Sequence, residues 1–234
     1  MSLVKKALAK QSTTVSTSNK EQAQSNTSAQ TNIDQQTEYS LFEAAITSDL
    51  AQLKTFGDIA DKLEYKAQAI EKNEYLAFLD SYRKKGESYT NKVLIWVFIW
   101  LVDLKRWDQA LELFSLLLSQ NQPLPKSFNR DNWVTFLIDE LYDAVNVHLE
   151  NEASKQDYAD AAVLLYRVID LLKHQEWAGL EIAGGKLFSI TAKIEKVRHN
   201  YGNVIAYGER AQAINEKAGV KTLIKETLKL INNE

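Results

Sequence analysis

The chain has 234 residues, of which 45% are hydrophobic and 25% charged, and its formal net charge is -3. This balance is typical of a globular protein, and the length allows one ordinary domain with a tail or two small domains. The absence of cysteine excludes disulfides, thiolate metal sites and a cysteine nucleophile, and it fits a reducing cytoplasm. With only 2 prolines and 8 glycines, a turn-rich β-sandwich or barrel is not expected.

Residues 1–37 are predicted to be a disordered tail, because the segment from Gln11 to Gln36 is mostly Ser, Thr, Gln and Asn. An amphipathic stretch at residues 3–8 is equally consistent with a helix that forms on a partner and with a tail without a role. No apolar run follows the first lysines, so a signal peptide is not expected. The tail carries net +2 and the remainder net -5, so any nucleic-acid contact requires local basic groups. The tail offers four: Lys5, Lys6, Lys10 and Lys20.

Residues 38–86 are predicted to form a helical oligomerisation region, with helical periodicity from near Tyr39 to about Tyr82. Six apolar residues within it alternate spacings of three and four, as in the seam of a coiled coil. These seam residues are Leu53, Phe56, Ala60, Leu63, Ala67 and Ile70. The seam is consistent either with self-association or with a helix or hairpin that packs inside its own domain. It is short, and Gly57 weakens it further.

A basic cluster, Arg83-Lys84-Lys85, ends this region and is followed by Gly86. Basic side chains offset the dipole at a helix C-terminus, and glycine is favoured just past it. The cluster therefore has a structural interpretation as a helix end. Its alternative interpretation is a contact with DNA phosphates.

Residues 87–234 are predicted to form a domain of packed antiparallel helical hairpins. Its centre is the stretch from Val93 to Leu118, VLIWVFIWLVDLKRWDQALELFSLLL, which begins with ten apolar residues. A membrane span needs about 20 such residues, and this run stops at Asp103. We therefore expect a helix buried on nearly all sides, joined by a short turn to a second apolar helix lying antiparallel to it.

Further helices are expected after the break at Pro123 and Pro125, the first of them capped by Asp131. Gly202 is expected to mark a turn and Gly219 to end a helix. These remaining helices are predicted at 157–174, 187–197, 204–214 and 220–231.

No convincing strand appears, so the fold class is all-α. Ala110 and Ala206 occupy similar places in two hairpins, which resembles tetratricopeptide packing, although a 34-residue period is not sustained.

No catalytic, metal or cofactor site is predicted. Gly184-Gly185-Lys186 lacks the spacing, the Ser or Thr and the preceding strand of a phosphate-binding loop. The three histidines are far apart and without ligand spacing. Asp139, Glu140 and Asp143 lie within one helical turn, but such a group is usually a solvated helix face. Physical reasoning alone thus indicates a helical interaction protein.

Several segments, in this order and spacing, resemble the small terminase subunits of temperate tailed phages of the peduovirus type. The resemblance runs from about Tyr39 to the C-terminus. The segments on which the resemblance rests are Asp49-Leu50-Ala51-Gln52-Leu53-Lys54, the apolar, Trp-containing helix VLIWVFIWLVDLKRWDQALELF, the loop NQPLPKSFNRDNW and the ending QAINEKAGVK.

The resemblance implies a DNA-packaging protein in the host cytoplasm, without catalytic residues and without a membrane. Its implied partners are double-stranded viral DNA, the large ATPase–nuclease subunit and other copies of itself. Two departures leave the DNA contact unlocated. Members of the family can carry a basic C-terminal extension, whereas this sequence stops at Ile231-Asn232-Asn233-Glu234. There is also no clear helix-turn-helix near the N-terminus of the kind that other small terminases use. The competing functions are a tetratricopeptide-like protein adaptor and, more weakly, an endonuclease in its own right.

Overall fold

The computed structural model describes residues 26–126 and 128–233, with side chains from residue 38 onward. All regular structure within these residues is helical, which confirms the all-α prediction. The described helices are α1 (Asn26–Leu53), α2 (Ile59–Lys72), α3 (Tyr75–Lys84), α4 (Lys92–Asp103), α5 (Trp107–Ser119), α6 (Trp133–Glu150), α7 (Lys155–Leu171), α8 (Glu181–Val197), α9 (Tyr201–Ile214) and α10 (Lys221–Asn232). None of these helices is long and apolar enough to cross a membrane.

The chain divides into two compact units, Met1–Pro123 and Leu124–Glu234. In the first unit α4 is the central helix, and α1, α2, α3 and α5 all pack against it. Its apolar run is buried as predicted, and Trp100 is only 1% exposed. The helix begins at the N-cap Asn91, whose side chain accepts a hydrogen bond from the Leu94 amide at 3.0 Å. This cap and the apolar run together explain why α4 forms the centre of the unit.

In the second unit α8 is central and packs against α6, α7 and α9. Gly184 and Gly185 are buried in its first turns, where any side chain would collide with its neighbours. A Cβ atom on Gly184 would lie 2.6 Å from the Trp177 ring, and one on Gly185 would lie 2.8 Å from Asn215 Cβ. The two glycines therefore serve close packing, in agreement with the rejection of a phosphate loop.

Several predicted boundaries were wrong. The N-cap of α6 is Asn132, not Asp131, because the Asn132 side chain accepts the Thr135 amide at 2.7 Å. Gly202 lies inside α9, and the turn before it is made by His199 with φ +57°. Ala206 is exposed rather than in a close helix contact. That contact is made by Gly208, on which a Cβ would lie 2.8 Å from Ile224.

Two predicted domain boundaries also differ from the structure. Helix α1 begins at Asn26, inside the segment predicted as tail, since extending a helix already packed through Phe42 and Ile46 costs little per residue. Gly86 is a turn inside the first unit, because α3 before it packs on α4 after it. The division between the units falls instead after Pro123.

Candidate nucleic-acid interface

The basic cluster Arg83-Lys84-Lys85 lies at the C-terminus of α3, and Gly86 follows with φ +67°. The helix-end interpretation is therefore confirmed. Each basic side chain also meets a carboxylate. Arg83 and Lys84 both pair with Asp80, at 2.9 and 2.6 Å, and Lys85 pairs with Glu38 at 2.9 Å. These pairs are partly exposed and individually weak, yet a phosphate would have to compete with them.

The other sequence-predicted DNA contacts, Lys5, Lys6, Lys10 and Lys20, lie outside the described residues. Their role in DNA binding stays a prediction.

The predicted oligomerisation seam is divided in the structure between α1, the connection after it and α2. Gly57 and the N-cap Asp58 interrupt the helix, and Asp58 accepts the Ala60 amide at 2.7 Å. Leu53 and Ile70 are buried within the first unit, whereas Leu63 is half-buried. Of the other members, Phe56 and Ala67 are half-buried and Ala60 is exposed. Burial inside the unit accounts for the two ends of the seam, and self-association through the remainder stays a prediction.

Asp49 holds the helices of the first unit together through a buried polar cluster. Its carboxylate accepts hydrogen bonds from the Tyr75 hydroxyl at 2.5 Å, the Tyr65 hydroxyl at 2.8 Å and the Asn73 amide at 2.9 Å. Asp49 is 8% exposed and Tyr75 is fully buried. Burial, reinforced by the hydrogen bond to Asp49, raises the pKa of Tyr65 to about 12 and raises the pKa of Tyr75 as well. The cluster joins α1 to α2 and α3 and has a structural role.

The connection between α3 and α4 is held by two glutamines that follow α5. Gln122 donates to the Tyr89 carbonyl at 2.6 Å and accepts the Asn91 amide at 2.9 Å. Gln120 accepts the Tyr82 hydroxyl at 2.6 Å and donates to the Glu87 carbonyl at 2.8 Å. The start of the NQPLP loop thus fixes the turn that leads into the central helix.

Two of the three acidic residues on α6 form separate ion pairs. Asp139 binds Lys186 at 2.5 Å and Glu140 binds Arg130 at 3.5 Å, while Asp143 is exposed. In the part of the chain that the structure describes, no group of three His, Asp or Glu side chains could hold a metal ion.

A second buried carboxylate, Glu195 on α8, is fully inaccessible and is bound by Arg198. Asn203 donates to its other oxygen at 3.3 Å, and Arg198 also donates to the Tyr166 hydroxyl at 3.3 Å. A buried ion pair with all its partners in place is expected to orient α7, α8 and α9 rather than to react.

Charge is unevenly distributed in the second unit. Residues 124–185 contain five basic and eleven acidic residues, net -6, whereas residues 186–233 contain nine basic and four acidic residues, net +5. Within the basic part, Lys221, Lys225 and Lys229 follow one another at four-residue spacing along α10, and all three are exposed. The sequence analysis missed this row, although its signal, one sign of charge at helical spacing, was readable.

The described residues thus form a packed α-helical protein with ion-paired carboxylates on α6 and an exposed basic row on α10. A sequence model of the phage small terminase subunit family matches residues 43–178, more than half of the chain. The chain therefore belongs to the phage small terminase subunit family, as the sequence resemblance implied. The peduovirus type stays a prediction.

One relative is the protein named "Probable terminase, endonuclease subunit" of Haemophilus phage HP1 (strain HP1c1). It is 25% identical over 209 residues, covering 83% of this chain and 71% of the relative. No solved structure matches the chain significantly.

Proposed function

We propose that this protein is the non-catalytic DNA-recognition subunit of a phage packaging terminase. It binds the ends of double-stranded viral DNA in the host cytoplasm, assembles into a homo-oligomer and recruits the large subunit that carries the ATPase and nuclease. The observation that carries this proposal is the family match across residues 43–178. It includes α2 to α7 in full, and so the central helix α4 of the first unit.

DNA binding by a chain of net charge -3 requires local basic groups. The tail lysines at positions 5, 6, 10 and 20 are proposed as one contribution. In an oligomer each contact is repeated, so weak contacts add to one strong attachment. The alternative contribution from Arg83 to Lys85 would require the carboxylates of Asp80 and Glu38 to release them.

A competing function is favoured by the name of the HP1 relative, which describes that protein as an endonuclease subunit. The present proposal assigns cleavage to the large subunit. It is supported by the ion pairs that engage Asp139 and Glu140 on α6.

One experiment separates these functions. The purified chain is titrated against a labelled duplex carrying the genome end and against an unrelated duplex of equal length, and its mass in solution is measured. We expect salt-dependent binding that favours the genome end, and no cutting when Mg²⁺ is added. Mg²⁺-dependent cutting that disappears in an Asp139→Ala, Asp143→Ala variant would establish an endonuclease. Absence of DNA binding at low salt would leave the protein adaptor as the better description.

A further inference from the structure

Helix α10 is held against its unit by one face only. Val220 and Thr227 are buried, at 1% and 0% exposure, and Ile224 lies against Gly208 of α9. Lys196 of α8 donates to the Thr227 hydroxyl at 3.3 Å, which places this face against α8 as well. With the buried side fixed, the orientation of the opposite side of the helix is fixed too.

The lysine row Lys221-Lys225-Lys229 occupies that opposite side. At 3.6 residues per turn, the three positions span about 80° of the helix circumference, centred roughly opposite Thr227. At about 1.5 Å per residue, they lie roughly 6 Å apart along the axis. All three side chains are exposed, and none has a hydrogen bond or ion pair within the residues that the structure describes.

This arrangement is unfavourable for the isolated helix. Like charges at four-residue spacing destabilise a helix by about 0.2–0.5 kcal/mol per pair. Lys221 also stands at the first position of α10, where a positive charge opposes the helix dipole and where the first turn contains no acidic residue. An ordinary solvated face relieves such repulsion with carboxylates three or four residues away. Within the described part of the chain, Glu226 stands at that spacing from Lys229, but no carboxylate stands so from Lys221 or Lys225. An external group of negative charge would relieve it.

The charge around the row is positive overall, although Glu209 and Glu216 line the same surface groove as Lys221. The row belongs to the net +5 segment of residues 186–233, which attracts anions towards this part of the unit. In contrast to Arg83, Lys84 and Lys85, its ammonium groups form no ion pair with a carboxylate of the described residues that a phosphate would have to displace.

We infer that the lysine row of α10 is a contact surface for the phosphodiester backbone of duplex DNA. The inference rests on the proposed DNA-binding function and locates part of it in the folded body. Lysine acts on phosphate as a point charge, so the row attracts and positions the duplex without reading its bases. Each phosphate that it neutralises contributes about 0.9 to the log–log salt dependence of binding.

The test uses the full chain with Lys221→Gln, Lys225→Gln and Lys229→Gln together, since glutamine matches lysine in helix propensity. Binding to a labelled duplex is measured across a salt series. We expect the slope to fall by up to about 2.7 per subunit that contacts the duplex. When the salt concentration rises from 50 to 200 mM, the factor by which affinity falls would then be about 40 times smaller for the variant than for the unmodified chain. Because bases are not read, the change should be equal on genome-end and unrelated duplexes.

A matched control removes the same charge elsewhere through Lys54→Gln, Lys72→Gln and Lys155→Gln, all at exposed positions. Its slope should equal that of the unmodified chain. Circular dichroism and mass measurement check that both variants fold and assemble. If the triple row variant fails to fold, Lys225→Gln alone should lower the slope by about 0.9.

Each contrary outcome has its own meaning. If the unmodified chain binds DNA and the row variant keeps its slope, the row is not the contact, although the proposed function stands. The same holds if only an Arg83→Gln, Lys84→Gln, Lys85→Gln variant flattens the slope. If the row variant changes the mass of the protein but not its salt dependence, the row binds another copy of the chain instead. No binding by the unmodified chain overturns the proposed function itself.

Discussion

The buried carboxylate of Asp49 is the strongest single test of how the first unit is held together. Asp49→Ala removes the acceptor of three hydrogen bonds and leaves the Tyr75 hydroxyl, in a fully buried side chain, without its 2.5 Å partner. A buried donor left unpaired costs about 1–3 kcal/mol, and hydrogen bonds to a charged group are each worth about 1.5–3 kcal/mol. The half-buried Tyr65 can turn to water, so the loss comes from the buried Tyr75 and Asn73 donors. We expect a total loss of about 3 kcal/mol in the free energy of unfolding.

The assay is urea unfolding followed by circular dichroism and tryptophan fluorescence, for Asp49→Ala, Tyr75→Phe and the double variant. Removing both partners leaves no orphaned hydroxyl, so the double variant should be more stable than the sum of the single losses implies, by about 1.5–3 kcal/mol. Glu64→Ala is the control, because Glu64 is an exposed carboxylate on α2 and its loss should change stability by less than about 0.5 kcal/mol. A coupling energy near zero between Asp49 and Tyr75 would refute the reasoning.

Four further predictions concern other parts of the chain. Because the pKa of Tyr65 is raised from 10.0 to about 12, the folded state retains its proton longer, so the free energy of unfolding should fall as pH rises from 10 to 12. Tyr65→Phe should flatten that fall in denaturation measured at several pH values. Gly184→Ala should lower the melting temperature through a clash worth about 1–3 kcal/mol, whereas Gly202→Ala, with open space around it, should be neutral or stabilising. Deleting residues 1–25 should weaken DNA binding and flatten its salt dependence, while the number of subunits obtained from the mass stays the same. An unchanged salt dependence would exclude the tail as a DNA contact. Leu63→Asp should keep the helical signal but lower the oligomer mass if the seam lies between subunits. Loss of the helical signal would instead assign Leu63 to the interior of its own unit, and an unchanged mass with an unchanged signal would exclude Leu63 from the subunit contact.

Patterns with a single dominant physical cause were predictable from the sequence. Ten consecutive apolar residues from Val93 to Val102 can only be accommodated by burial, and they form the central helix of the first unit. Basic residues followed by Gly86 indicated a helix end, because the dipole and the positive φ favour them in that order. The same reasoning chose the wrong cap at Asp131, since the neighbouring Asn132 is an equally good acceptor and only the backbone conformation selects between them.

The tertiary structure alone decided what each polar and small residue contacts. The sequence presents Asp49, Tyr65 and Tyr75 as ordinary residues on separate helices, and only packing brings them to one buried cluster. Gly184 and Gly185 resembled the start of a phosphate loop. In the structure they lack side chains where Trp177 and Asn215 pack closely against the helix. Likewise, the lysines of α10, which have no ion pair among the described residues, and the paired cluster at Arg83 look alike in the sequence. Whether a charge is available to a partner depends on carboxylates that are distant in the chain, and folding determines those distances.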